Sequence, residues 1–251
     1  MTERLEDPVA ETRRILAAAA DERVPLRAIG GVAVALRAPV VARLRPARTY
    51  HDIDLVARAP RGPIERVLLS AGYEAAHRFN ALNGAERLLF HDPSGRRVDV
   101  FLDALRMCHL LPFSDRLEID ALTLPLADLL LSKLQIVEMT DRDVVDVIAL
   151  LAEHPVTDDD EGIGLPRIEA ICTSSWGWWR TFDGNLGRLI DAWRNAGAAR
   201  SDDDALIVGT ASARATGLRQ RLAAAPKSMA WRLRASVGER VRWYDEPEEV
   251  R

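Results

Sequence analysis

Cysteine is scarce in this chain: Cys108 and Cys172 are the two among 251 residues. Two thiols cannot build a disulfide scaffold or a Cys-rich zinc module. Lysine is equally scarce. Lys133 and Lys227 are the only lysines among 34 cationic residues, the rest being arginine. The five histidines are scattered and show no metal-ligand spacing. No apolar run approaches the ~18 residues of a membrane span. The segment Met1–Asp7 is charged and no apolar stretch follows it, so no export signal is read there. Together these absences point to a cytoplasmic protein with reduced thiols. An excess of positive charge is also lacking. The formal net charge of −4 argues against a generally basic nucleic-acid coat. No phosphate-binding P-loop, Gly-x-Ser-x-Gly elbow or Gly-x-Gly-x-x-Gly fingerprint is found.

What is present is ordinary for a globular chain. Hydrophobic residues make up 48% and charged residues 29%, which excludes wholesale disorder. A chain of this length can bury about 70–75% of its extended surface and needs no staples. The periodicity predicts a helix over residues 8–22, with Val9, Ile15, Leu16 and Ala19 on one stripe. A short strand at Leu26–Ile29 runs into Gly30-Gly31. A helix over Val32–Arg37 follows, and Pro39 stops it. Residues 40–49 read as a loop. His51–Val56 reads as a strand, Pro63–Ala71 as a helix and Tyr73–Phe79 as a strand. Asp92-Pro93-Ser94-Gly95 is a turn between two strands, Glu86–His91 and Arg96–Leu102.

Helices then take over. Pro125–Glu138 reads as an apolar helix. Asp141–Glu153 reads as an amphipathic one with Asp141 as its N-cap. Thr157–Gly164 is an acidic linker, and Asp202-Asp203-Asp204 reads as a loop. The tail from Asp245 reads as frayed. All six tryptophans fall in residues 165–251. The expected architecture is α+β, a mixed sheet flanked by helices and followed by a mainly helical region. The expected domains are residues 1–118 and 119–251.

The segment His51-Asp52-Ile53-Asp54-Leu55 carries the most chemistry. Residues two apart on a strand face the same side. Asp52 and Asp54 therefore share one surface, while Ile53 and Leu55 face the core. By the same alternation His51 points inward. Two neighbouring carboxylates repel unless a cation sits between them, and oxygen-only ligation suits Mg²⁺. In Arg97-Val98-Asp99-Val100 the aspartate opposes the apolar face and supplies a third carboxylate. Three carboxylates on adjacent strands can hold two Mg²⁺ ions that clamp a nucleoside triphosphate. Asp99 can also take the proton of an attacking hydroxyl. Gly30-Gly31 lies at a strand-to-helix turn, where backbone N–H groups can cradle a phosphate.

The order Gly30-Gly31-Val32-Ala33, Arg48, Asp52-Ile53-Asp54-Leu55 and Val98-Asp99-Val100 resembles the polymerase-β-like nucleotidyltransferase superfamily. The stretch Leu126–Leu134, followed by Asp141-Arg142-Asp143-Val144-Val145-Asp146, is similar to AbiEii-type toxin nucleotidyltransferases and their uncharacterised relatives. The resemblance spans residues 10–153. It implies that Gly30 and Gly31 hold a triphosphate and that Asp52, Asp54 and Asp99 bind Mg²⁺. It implies that Lys133 reaches the triphosphate or the base, that Asp143, or else Asp146, orients that region, and that Arg48 contacts phosphate. An antitoxin partner is implied as well. Two departures stand out. Gly31 replaces a serine common in the superfamily, and Tyr50 stands where a threonine often does.

The residues themselves add to this. Lys133 interrupts an apolar run in an arginine-dominated chain, and a compact ammonium suits phosphate as a point charge. It also fits a snorkelling surface lysine. Arg37, Arg43, Arg45 and Arg48 make contact with an RNA backbone conceivable. Trp176, Trp178 and Trp179 read as a packing seam between domains in preference to a base-stacking platform. Cys108 and Cys172 read as inert. The expectation is Mg²⁺-dependent transfer of a nucleoside monophosphate from an NTP to a hydroxyl of tRNA, protein or a small molecule, with no membrane involved. The alternative is a catalytically silent module of the same fold that docks a partner through its helical region.

Overall fold

The computed structural model describes residues 5–195 and 202–246. The chain divides into two compact units at Pro125/Leu126, with two short exchanges. The first unit holds the described residues of Met1–Arg37, Thr49–Leu105 and Leu111–Pro125. The second holds those of Ala38–Arg48, Arg106–Leu110 and Leu126–Arg251.

The first unit is built on a mixed five-stranded sheet. Its strands are β1 (Arg27–Ile29), β2 (Asp52–Ala57), β3 (Glu74–Ala75), β4 (Arg87–His91) and β5 (Arg97–Leu102), in the order β1-β2-β5-β4-β3. β2 and β5 run parallel, and the other pairs are antiparallel. Alternation works as the sequence predicts. Ile53, Val98 and Phe90 form one buried cross-strand row, and Leu55, Val100 and Leu88 form the next. Burying each such side chain stabilises the fold by roughly 1.5–3 kcal/mol. Helices α1 (Pro8–Asp21), α2 (Gly30–Arg37), α3 (Arg61–Ser70) and α4 (His77–Asn83) flank the sheet. The free side of β1 is covered by the segment Leu122–Leu124, which exchanges backbone hydrogen bonds with Ala28.

Several local features follow from single residues. Asp7 caps α1 by accepting from the Val9 and Ala10 N–H groups. Asp92 Oδ1 accepts from the Ser94 and Arg96 N–H groups and closes the β4–β5 turn. The expected strand Tyr73–Phe79 is cut to two residues, and its last three are helix instead. β3 ends at Ala75 and α4 begins at His77. The reason is Asn80, buried inside that helix. Its amide donates to the Leu89 carbonyl and accepts from the Leu89 N–H, tying α4 to β4.

The second unit is mainly helical: α5 (Leu126–Leu134), α6 (Asp141–Glu153), α7 (Leu165–Ser174), α8 (Trp176–Asn195), α9 (Asp202–Ala224) and α10 (Met229–Val237). α5 ends at Leu134, earlier than the expected Glu138. The N-cap of α6 is Thr140, not Asp141. Its hydroxyl accepts from the Asp143 N–H, and the Asp143 carboxylate accepts from the Thr140 N–H, a reciprocal capping box. Asp202–Asp204 open α9 instead of forming a loop. Three carboxylates at a helix N-terminus face the positive end of its dipole. The tail beyond Glu246 lies outside the described residues. Among the described residues no helix is long and apolar enough to cross a membrane.

The tryptophan segment packs inside this unit. Trp176 and Trp178 are buried. Trp176 meets Trp243 edge-on at 6.0 Å, and Trp179 meets Trp231 at 5.3 Å. The Trp178 indole donates to the Leu110 carbonyl. The aromatic seam therefore joins α8 to α10 and to the segment after it.

Candidate active site

The carboxylate face lies on β2 and β5 of the first unit. Asp52 is exposed and Asp54 half-buried, while Ile53 and Leu55 between and beyond them are fully buried. The expected sidedness is thus present. His51 departs from it. It precedes β2 and is exposed, because the strand starts one residue too late to impose its alternation there. In the parallel register Asp54 is the partner of Asp99, and Asp52 is the partner of Arg97. Partnered residues point to the same side of a sheet, so Asp52, Asp54, Arg97 and Asp99 share one face.

Asp99 is 1% exposed and held on both sides. Arg87 grips its Oδ1, with Nε at 2.9 Å and Nη2 at 2.7 Å. Arg97 Nη2 sits 2.9 Å from its Oδ2. Arg87 is itself stacked against two rings, Phe101 at 5.0 Å and Phe79 at 5.7 Å. Hydrogen bonding to Asp99, working against the cost of burial, raises the Arg97 pKa above its ordinary value. The charges of Asp99, Asp52 and Asp54 reinforce it. Among the described residues no group of three or more His, Cys, Asp or Glu side chains is disposed to hold a metal ion as it stands. Both oxygens of Asp99 are engaged by guanidinium groups.

Gly30 explains its own identity. Its φ is +73°, and a Cβ there would lie 2.3 Å from Asp54 Oδ2. Any side chain would be strained by the backbone and would drive into the carboxylate. Gly30 opens α2 and Gly31 is its second residue, so the Asp54 carboxylate lies against the start of that helix. The donors of Asp52, Asp54 and Asp99 are all oxygen, the type a hard cation takes. The space that a Cβ of Gly30 would fill is taken by the Asp54 carboxylate itself, and the Arg97 guanidinium stands on the same face.

Lys133, Asp143 and Arg48 meet in the second unit, and Asp146 joins them. Lys133 Nζ lies 2.9 Å from Asp146 Oδ2 and 3.1 Å from Asp143 Oδ1. Arg48 donates to both oxygens of Asp146, at 2.8 and 3.1 Å. Asp146 is fully buried, and the Arg48 and Lys133 side chains are 7% and 13% exposed. Burial depresses the Lys133 ammonium, but the charges of Asp146 and Asp143 outweigh it and the net shift is upward. Burial likewise raises Asp143, and Lys133 and Thr140 more than reverse it. Sequence reasoning ranked Asp143 above Asp146, yet Asp146 is the residue that binds both cations. Its place between the apolar Val145 and Val147 of α6, both buried, was the available signal.

Three of the four arginines considered for RNA are ion-paired: Arg37 with Asp120, Arg43 with Asp203 and Arg48 with Asp146. Both cysteines are buried, and burial pushes both thiols up in pKa, which suits inert packing roles.

No known protein family and no curated protein matches this chain. Solved structures similar to it include two from Helicobacter pylori. One is JHP933 from Helicobacter pylori, at 10% identity over 93% of this chain and 99% of that one, with a TM-score of 0.38. The other is an H. pylori protein provisionally assigned as a nucleotidyltransferase, at 10% identity over 87% and 98%, with a TM-score of 0.36. The functional reading therefore rests on the residues of the chain itself.

Proposed function

We propose that the chain is a Mg²⁺-dependent nucleotidyltransferase that moves a nucleoside monophosphate from an NTP to a hydroxyl. The observation that carries this is the parallel register of β2 and β5. It sets Asp54 beside Asp99, with Asp52 on the same face and Gly30 packed against Asp54. Asp52 and Asp54, two residues apart on that face, repel each other and gain little from it as structure.

Asp52, Asp54 and Asp99 would hold the metal. When bound, Mg²⁺ polarises the phosphoryl oxygens and neutralises the departing pyrophosphate. The remaining chemistry falls to the chain. The backbone N–H groups at the Gly30-Gly31 start of α2 bind phosphate oxygens, helped by the positive end of the helix dipole. Asp99 orients the attacking hydroxyl and takes its proton. Arg97 is more exposed than Arg87, 36% against 21%, so Oδ2 is the oxygen of Asp99 that a ligand reaches first. The acceptor is a hydroxyl of RNA, protein or a small molecule. The resemblance to toxin nucleotidyltransferases also suggests an antitoxin as a partner.

Thermal melting tests the reading. Mg²⁺ with an NTP at 100-fold its Kd should stabilise the folded chain by about 2.7 kcal/mol, and Asp52→Ala should abolish the shift. If neither metal nor nucleotide moves the melting point of the wild-type chain, the transferase reading fails. A silent module docking a partner through its helices would then stand in its place.

A further inference from the structure

We propose that Arg97 is a built-in counter-cation of the Asp52–Asp54–Asp99 face, and that a divalent ion must displace it to bind. Metal and guanidinium would compete for the same carboxylates. The inference rests on the metal-site reading above and concerns how that site is regulated.

Three observations carry it. First, Arg97 belongs to the face by register. It is the cross-strand partner of Asp52 and lies two residues before Asp99 on β5, whose neighbour in turn is Asp54. Its Nη2 already bonds Asp99 Oδ2 at 2.9 Å. A positive group therefore stands among the carboxylates that a cation would need.

Second, Arg97 is held incompletely. Its Nε is buried and has no hydrogen-bond partner. A buried donor left unpaired weakens the case for keeping the side chain where it is. Its side chain is 36% exposed, so a flexible stem can carry the head group into water.

Third, Arg87 is held differently. It binds Asp99 Oδ1 through both Nε and Nη2 and is stacked between Phe79 and Phe101. Stacking of this kind fixes a guanidinium. Arg87 thus orients Asp99 throughout, and Arg97 is the exchangeable half of the pair. Metal affinity is then set by how readily Arg97 leaves.

Mn²⁺ binding, followed by calorimetry and by electron paramagnetic resonance of the free ion, tests this without any turnover. The full chain is compared with Arg97→Gln, Arg97→Lys, Arg87→Gln and the Asp52→Asn/Asp54→Asn pair, with circular dichroism to confirm folding. The expected result is at least tenfold tighter Mn²⁺ binding in Arg97→Gln. Arg97→Lys keeps the charge and should fall close to wild type. Arg87→Gln should not tighten binding, and the double aspartate variant should lose it. Equal or weaker binding in Arg97→Gln, with binding still lost in the double aspartate variant, overturns the competition and leaves the metal site standing. No Mn²⁺ binding by either wild type or Arg97→Gln overturns both.

Discussion

Among the described residues, two clusters of aspartate and basic side chains are built on opposite plans. On the sheet, three aspartates share a face with Arg97, and the outermost, Asp52, is exposed. Around α6, Lys133 and Arg48 meet Asp143 and Asp146 with almost no exposure. There Asp143 also closes the capping box with Thr140. The helical cluster is a buried polar cross-link between α5, α6 and the segment ending at Arg48. The sheet cluster lies on the inner strands β2 and β5 and is graded, with Asp99 buried between Arg87 and Arg97, Asp54 half-buried and Asp52 exposed at the start of β2. Charge type alone does not separate the two plans. What else each carboxylate does, and the exposure of Asp52 at one end of the sheet cluster, separate them.

The sharpest way to break this contrast is to remove one carboxylate from each cluster. Asp146→Asn leaves Lys133 and Arg48 buried beside a neutral amide. It should cost roughly 3–5 kcal/mol of stability in urea unfolding. Asp52→Asn, at the exposed start of β2, should change stability by no more than about 0.5 kcal/mol. Similar costs for both would show that the two clusters do the same work.

Gly30→Ala probes the sheet cluster from below. The left-handed backbone and the contact with Asp54 Oδ2 should cost about 2 kcal/mol and should also weaken Mn²⁺ binding. Lost stability with unchanged Mn²⁺ affinity would separate Gly30 from the site.

His109 gives a pH test within the helical unit. Burial lowers its pKa from 6.5 to about 4, while its ring bonds Thr181 at 2.8 Å and lies 5.0 Å from Trp178. Below about 6.5 the unfolded chain takes up a proton that the folded chain refuses. The stability is therefore full above that pH and is lost as pH falls toward 4. Between pH 8 and pH 5 the loss should be about 2 kcal/mol, and His109→Gln should remove this component. Apart from Asp52→Asn, the smallest expected effect on urea unfolding is that of Thr140→Ala, about 1 kcal/mol for a lost N-cap.

The sheet cluster was readable from sequence because a strand has a period of two. Val98, Val100, Ile53 and Leu55 fixed which side was core, and the aspartates followed. The β4–β5 turn was readable because Asp, Pro, Ser and Gly have few other uses together. α4 was not readable. It is seven residues long and depends on Asn80 reaching Leu89, a tertiary contact that no local pattern encodes. Thr140 was passed over as a cap because the adjacent Asp141 is equally good chemistry. The grip of Arg87 and Arg97 on Asp99 was also hidden. Arg87 reaches Asp99 only because β4 pairs with β5, and strand alternation does not say which arginine turns inward.

One measurement tests the central claim most directly. The purified chain is incubated with each of the four α-³²P-labelled NTPs, Mg²⁺ and a cell extract, beside the Asp52→Ala/Asp54→Ala variant. The account predicts label transferred by the wild-type chain and at least about 10³-fold less by the variant, as expected when several kcal/mol of transition-state stabilisation are lost. Equal labelling by both proteins would contradict it, because the carboxylates of β2 would then have no part in the reaction.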